Sequence, residues 1–228
     1  MDRFDTCLKL LLPKVSVLFP ECQVLVVANG HVRTEEQKKY IKDLEEFCTG
    51  FGNVSTVTFI DPRGLSFLWN TIIRKADHQA IMILNDDLRI RRKFRNFISS
   101  TAITEQPVST INRSWSHFMI SRPVVGVVGW FDENFPEIGG EDDDYLARLA
   151  MHGIMPADFR TDTIARTSKK RVRLPKINSY GRDMTEEYGG YSTLNAEYLF
   201  NKWETSDESF EGAVEVTGRK IRFWKLRG

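Results

Sequence analysis

The chain has 228 residues, 41% of them hydrophobic and 11% aromatic, enough to bury one sizeable core and too few for two full domains. Lys and Arg number 32 against 31 Asp and Glu, a formal net charge of +1, which excludes a global field that recruits nucleic acid or an acidic membrane. Cys7, Cys22 and Cys48 lack CxxC spacing, which excludes a thiolate zinc site, speaks against a disulfide framework, and points to a reducing compartment, read as the cytoplasm.

Leu8, Leu11, Leu12, Val15, Leu18 and Phe19 recur at helical spacing, so an amphipathic helix is favoured over 5–19 in spite of Pro13. A competing reading takes 14–19 as a strand ended by Pro20. The apolar stretch 8–19 is interrupted by Pro13 and Lys14 and is too short to span a bilayer, so neither a signal peptide nor a membrane span is read. VLVVANG at 24–30 reads as a buried parallel strand closed by an Asn-Gly turn. A helix over 34–47 follows, with Thr34 and Gln37 in capping-box spacing and Tyr40, Ile41, Leu44 and Phe47 on one face. Then come a strand at 54–60, a loop at 62–64, a helix from Ser66 to Ala76 and a strand at 80–87. That alternation predicts an α/β fold with a doubly wound, mostly parallel sheet and right-handed crossovers. Ligands of such sheets bind beyond the carboxyl ends of the strands, where Asn29, Arg63, Asn85, Asp86 and Asp87 fall.

Residues 91–110 look helical and then irregular, and 115–128 read as a strand followed by a helix onset. The basic run RIRRKFR at 89–95 reads as a solvated face. Residues 166–190 read as a loop that orders on substrate, with a basic core at 167–173, followed by a helix near 192–203 and strands at 212–217 and 219–226.

Two segments carry the chemistry. Asn85-Asp86-Asp87 follows the apolar run Ile81–Leu84, where two carboxylates suit a hard divalent cation that bridges a diphosphate; a turn with a helix cap is the equal alternative. In the run 130–153, Gly139 and Gly140 lead into Glu141, Asp142, Asp143 and Asp144, which open a helix that stops at Gly153. An acidic first turn is favoured by the helix dipole, yet capping uses one or two acids, and four repel one another. The surplus points to a task such as deprotonating a sugar hydroxyl.

GGEDDDYLAR after GW-FDE-F, downstream of an NDD at a strand end, resembles the GT-A-fold glycosyltransferases. The acidic part is similar to the β-1,4-galactosyltransferase motif WGGEDDD, and FDE to inverting family 2. VVANG, PRGLSFLWN, ILNDD and YSTLNAEYLFNKW resemble further family elements, over roughly residues 5–205. The resemblance implies a catalytic domain at 1–205, with a nucleotide-sugar half at 1–110, an acceptor half at 111–165 and a C-terminal extension at 206–228. MDRFDTCLKLL resembles the stretch after the family's first strand, so that strand is expected to be missing or replaced.

The implied activity is transfer of a sugar from a nucleotide-sugar donor, UDP favoured, to a carbohydrate acceptor with inversion; retention is the lesser alternative. By resemblance Asp142 is the catalytic base, and Glu141 and Asp143 bind the acceptor. Trp130 stacks on the sugar, whereas Phe131 is equally a core aromatic. Asp87 binds a divalent metal, Mn2+ or Mg2+. The nucleotide-sugar contacts fall on Asn29, Arg63, Gly64, Asn70, Asn85, Asp86 and Lys169, with Asn85 in the place of the acid that faces the ribose. Where the galactosyltransferases carry a metal-binding His, this chain has Thr167; His117 and His152 do not match that position, and Lys169, Lys170 or Arg171 would share the diphosphate charge. The alternative to an enzyme is a GT-A-derived domain that binds glycan or nucleotide with little or no catalysis.

Overall fold

Packing of amphipathic elements around short parallel strands organises the computed structural model. It describes residues 4–30, 35–135 and 139–166, then Asn195, Tyr198, Leu199, 202–204, 213–216, 219–222 and 225–226, with the strands from Glu204 onward given by backbone alone. After a π-helical turn at Phe4–Leu8, α1 spans Lys9–Leu18 and contains Pro13. Helix therefore prevails over the strand alternative for 14–19. Asn53 ties its end down: Ser16 Oγ donates to Asn53 Oδ1 at 2.6 Å, and Asn53 Nδ2 donates to the carbonyls of Phe19 and Cys22.

The strand β1 (Val24–Ala28) pairs in parallel with β2 (Val54–Thr58), and α2 (Glu35–Thr49) connects them. Thr34 lies outside the described residues. Gln37, assigned to the capping box with it, is buried and donates through Nε2 to the Ile60 carbonyl at 2.8 Å, so it locks α2 onto the exit of β2. α3 (Leu65–Lys75) leads to β3 (Ala80–Leu84), which ends one residue before Asn85 and is followed by a short strand, β4 (Leu88–Ile90).

α4 (Phe94–Ser100) precedes β5 (Val108–Ile111) and β6 (Ser114–Ser121), which form an antiparallel pair. The irregular half of 91–110 thus contains a strand that weak patterning conceals, because all four residues of β5 are buried and none alternates. α5 (Arg122–Val128) and α6 (Glu141–Met151) follow, then β7 (Ala157–Phe159), parallel to β5, and β8 (Ile164–Arg166), antiparallel to β4. In the sheet β3-β6-β5-β7 only β6 runs against the rest. The final part has β9 (Trp203–Glu204), β10 (Ala213–Val216), β11 (Arg219–Arg222) and β12 (Lys225–Leu226), paired as β10 with β11 and β9 with β12.

The largest core cluster joins Ile81 and Ile83 of β3 and Trp69 of α3 to Phe118 of β6, Val125 of α5, Tyr145 and Leu149 of α6, and Leu199 and Trp203. Residues of both expected halves therefore share one core. A second cluster packs Leu11 of α1 under β4, α4 and β8, and a third places Leu12, Ala28 and Leu44 between α1, β1 and α2. No helix among the described residues is long and apolar enough to cross a membrane.

At the carboxyl ends of β1 and β2 the chains approach so closely that a Cβ on Gly30 would stand 2.3 Å from the Asp61 carbonyl carbon. Gly30→Ala is therefore expected to destabilise the chain by about 1–3 kcal/mol, read as a lowered urea midpoint at unchanged slope.

Candidate active site

The exits of β1 and β2 are clamped by one side chain. Asn29 Nδ2 donates to the Arg63 carbonyl at 2.9 Å, and the Arg63 N–H donates to Asn29 Oδ1 at 2.8 Å. The Arg63 guanidinium lies 5.2 Å over the Phe67 ring, and Gly64 caps α3 close under the Phe135 carbonyl oxygen. Asn70 points inward. Its amide is wholly buried, donates to the Phe131 carbonyl and Glu133 Oε1, both at 2.8 Å, and accepts from the Phe131 N–H at 3.0 Å. Asn70 is a brace for 131–133 and has no surface left for a nucleotide.

At the exit of β3 the Asn85 N–H donates to the Ser116 carbonyl at 2.8 Å, extending the ladder to the segment's first residue. Asp86 is half-buried and Asp87 is buried. His117, opposite Leu84 on β6, is 4% exposed, and neither ring nitrogen has a hydrogen-bond partner among the described residues. Burial and the nearby Arg166 guanidinium push its pKa down to about 4 against the opposing pull of Asp87. The imidazole is therefore neutral at neutral pH, the form that ligates metals. Arg166 in turn donates to Ser116 Oγ. The carboxylate of Asp87 and a buried imidazole with unused nitrogens fit a divalent cation of the Mn2+ type, which accepts both donors. No group of three His, Cys, Asp or Glu side chains suited to a metal occurs among the described residues. The remaining ligands would come from beyond these two side chains.

The acidic run divides into two kinds of residue. Gly139 (φ +107) and Gly140 (φ +92) take left-handed conformations that side chains rarely adopt, and so turn the chain into α6. Glu141, 2% exposed, accepts the Gly139 N–H on Oε2 at 2.7 Å, while its Oε1 has no hydrogen-bond partner among the described residues. Burial raises its pKa to about 8, with the charges of Asp142 and Asp143 adding to the rise. Asp144 is wholly buried and accepts from Arg148 Nε and Nη2 (3.0 and 2.9 Å), from Trp203 Nε1 (2.8 Å) and from Lys202 Nζ (2.7 Å). Only Asp142 and Asp143 stay half-exposed.

Residues after 194 hold this arrangement. Asn195 Nδ2 donates to the Gly139 carbonyl at 2.7 Å. Lys202 Nζ reaches Asp132 at 2.6 Å as well as Asp144, and the Tyr198 hydroxyl donates to Asp132 at 2.8 Å. Burial would raise the Asp132 pKa, but Lys202, the Asn134 N–H and Tyr198 outweigh it and bring it to about 2. Asp132, Tyr198, Asn195 and Lys202 were not singled out in the sequence, although the motifs that contain them were; nothing in a sequence shows that FDE and FNKW meet.

Trp130 is 41% exposed, with the Arg74 guanidinium 4.7 Å over its ring and Arg74 also paired to Glu133 at 2.7 Å. One ring face is thus taken by protein. Phe131 is a core aromatic, stacked on Tyr145 with ring centres 4.0 Å apart. Lys169 lies outside the described residues, as do Thr167, Lys170 and Arg171.

Both chemical segments lie at one end of the sheet. Ser116 holds Asn85, and the adjacent Trp115 packs on Tyr145 of α6 and on Phe131, with ring centres 6.4 and 6.3 Å away. This architecture is the GT-A fold, an α/β fold in a single domain. Among solved structures the chain is similar to GalNAc-T7, whose crystal structure contains UDP, GalNAc and Mn2+, with a TM-score of 0.52 and 12% identity over 84% of this chain and 45% of that one. It is also similar to the mannosyltransferase PcManGT from Pyrobaculum calidifontis, in complex with GDP-Man and Mn2+ (TM-score 0.49, 16% identity, 67% of this chain and 51% of that one). A third likeness is to the catalytic domain of Drosophila β1,4-galactosyltransferase 7, in complex with xylobiose (TM-score 0.48, 11% identity, 91% and 95%). The chain spans about half the length of the first two. No protein-family profile and no curated protein matches its sequence.

Because the folded state holds the Glu141 proton more tightly than the unfolded chain, this residue contributes stability that is complete below pH 4.5 and is lost as pH rises through about 8. Glu141→Gln cannot ionise, so the fall in melting temperature over that window is expected to be shallower in the variant, as scanning calorimetry would measure.

Proposed function

We propose that the chain is a glycosyltransferase that moves a hexose from a nucleotide-sugar, a UDP-sugar by resemblance, to a hydroxyl of a carbohydrate acceptor with inversion, in the cytoplasm. The observation that carries the reading is the division of the acidic run. Two acids are withdrawn, one as a protonated carboxyl and one as a structural ion, which leaves Asp142 and Asp143 as a half-exposed pair at the end of the sheet that carries Asp87.

Asp142 takes the proton from the acceptor hydroxyl as its oxygen attacks the anomeric carbon; the bond from that carbon to the diphosphate breaks, and the diphosphate leaves with the electron pair. Asp143 orients the acceptor through a neighbouring hydroxyl, and Glu141, protonated at neutral pH, places no second negative charge beside the base. Asn29, Arg63 and Gly64 shape the nucleotide end, while Asn85 and Asp86 border the donor ribose and sugar. Trp130 offers its remaining face to a sugar. Asp87 and His117 would hold Mn2+ or Mg2+, which when bound offsets the charge of the departing diphosphate. Arg166 lies close to the same pair and adds a fixed positive charge there, and by resemblance Lys169 would share the diphosphate charge.

Asp142→Asn is expected to lower transfer by about 10²–10⁴-fold while nucleotide diphosphate binding, followed by calorimetry, stays near wild type; wild-type turnover in this variant would remove Asp142 from the mechanism. Titration of UDP into the full chain is expected to show tighter binding with manganese present. That gain should disappear in Asp87→Asn and shrink in His117→Phe, and a gain untouched by both variants would place the metal elsewhere.

A further inference from the structure

The basic run 89–95 does more than solvate a face. The exposed side of α1 forms one wall of a groove of about 700 Å³, and the β4–β8 ribbon forms the other. Along β4, Leu88 and Ile90 are buried and Arg89 is exposed; Arg91 and Arg92 follow. With Lys14 of α1 and Arg166 of β8, five cationic side chains line the groove against one carboxylate, Asp162, which Arg91 Nη1 already pairs at 2.7 Å. The chain as a whole carries only +1, so this concentration of positive charge is local. The groove also has an apolar component. Leu11 and Leu12 bury one face of α1, which turns Leu10, Lys14 and Val17, spaced as one helical stripe, toward solvent. Leu10 is 61% and Val17 78% exposed, and both sit on the helix that carries Lys14.

We propose that this face docks on a bilayer surface that contains anionic phospholipid. Cations around a groove meet lipid phosphates, and large aliphatic side chains on the adjoining helix stripe enter the boundary between headgroups and acyl chains; the two features together are what an interfacial surface needs. Nucleic acid fits less well, because none of the lining residues is aromatic and no ring is available for base stacking. A soluble polyanion would use the cations but give Leu10 and Val17 no partner.

The test is co-sedimentation of the full chain with vesicles of phosphatidylcholine alone and of phosphatidylcholine with phosphatidylglycerol in equal parts. Binding to the mixed vesicles is expected to be at least about tenfold stronger and to weaken with added salt. Leu10→Ser with Val17→Ser, both at exposed positions, and separately Arg89→Ala with Arg92→Ala, should each lower it about tenfold with the far-ultraviolet spectrum unchanged. Equal binding to both vesicles would overturn the proposal. So would binding that resists the aliphatic pair of substitutions and is competed away by inorganic phosphate or polyphosphate, since the groove would then be a site for a soluble anion.

Discussion

One ammonium group organises the site. Lys202 Nζ lies 2.6 Å from Asp132 and 2.7 Å from Asp144, and so joins the segment that enters the turn at Gly139 to the first turn of α6 and both to the end of the chain. A buried carboxylate without a counter-charge is strongly unfavourable, and breaking one partner of a buried pair costs more than the pair itself contributes. Asp144 therefore cannot remain where it is unless Lys202, Arg148 and Trp203 stay with it, and where Asp144 sits determines how α6 presents the residues before it. The position of Asp142 and Asp143 follows from contacts made by their neighbours.

Repulsion within the acidic run is resolved by sorting its members. Asp144 is neutralised by cations, Glu141 by a proton, and Asp142 and Asp143 stay partly exposed. The positive end of the α6 dipole favours negative charge at its first turn, which is the same bias that makes an acidic helix start common. What distinguishes this start is that two of the four acids are buried, at a cost that the Lys202 network and the Gly139 N–H offset.

Much of the fold was legible because its central elements have strong periodicity. The helix 5–19, the alternation through 24–87 and the helix opening at Glu141 all stand where apolar spacing and Gly stops place them. β5 and β8 escaped because a fully buried short strand does not alternate and a three-residue strand has no pattern to offer. In the site, residue types at strand ends were readable, whereas the use of each side chain was not. Asn29 and Asn70 have the same amide; the first, just past β1, clamps two strand exits, and the second, inside α3, is consumed by the segment 131–133. His117 was set aside because it stands outside the family's His position, yet antiparallel pairing brings it level with Leu84, near Asp87. Such proximity is a product of register and has no signature in one chain's spacing.

The stretch that joins β8 to the final segment begins and ends at fixed points: Arg166 is tied to Ser116 and lies opposite Leu88, and Asn195 is tied to the Gly139 carbonyl. Loop-closure entropy grows only with the logarithm of length, so the thermodynamic cost of a longer or shorter connection between two such anchors is modest. Lys202 is a different kind of point, because its ammonium lies 2.6 Å from Asp132 and 2.7 Å from Asp144 and any displacement forfeits both ion pairs. Length can therefore vary between the two anchors at far lower cost than register can vary at Lys202, where one shift parts an ammonium from two carboxylates.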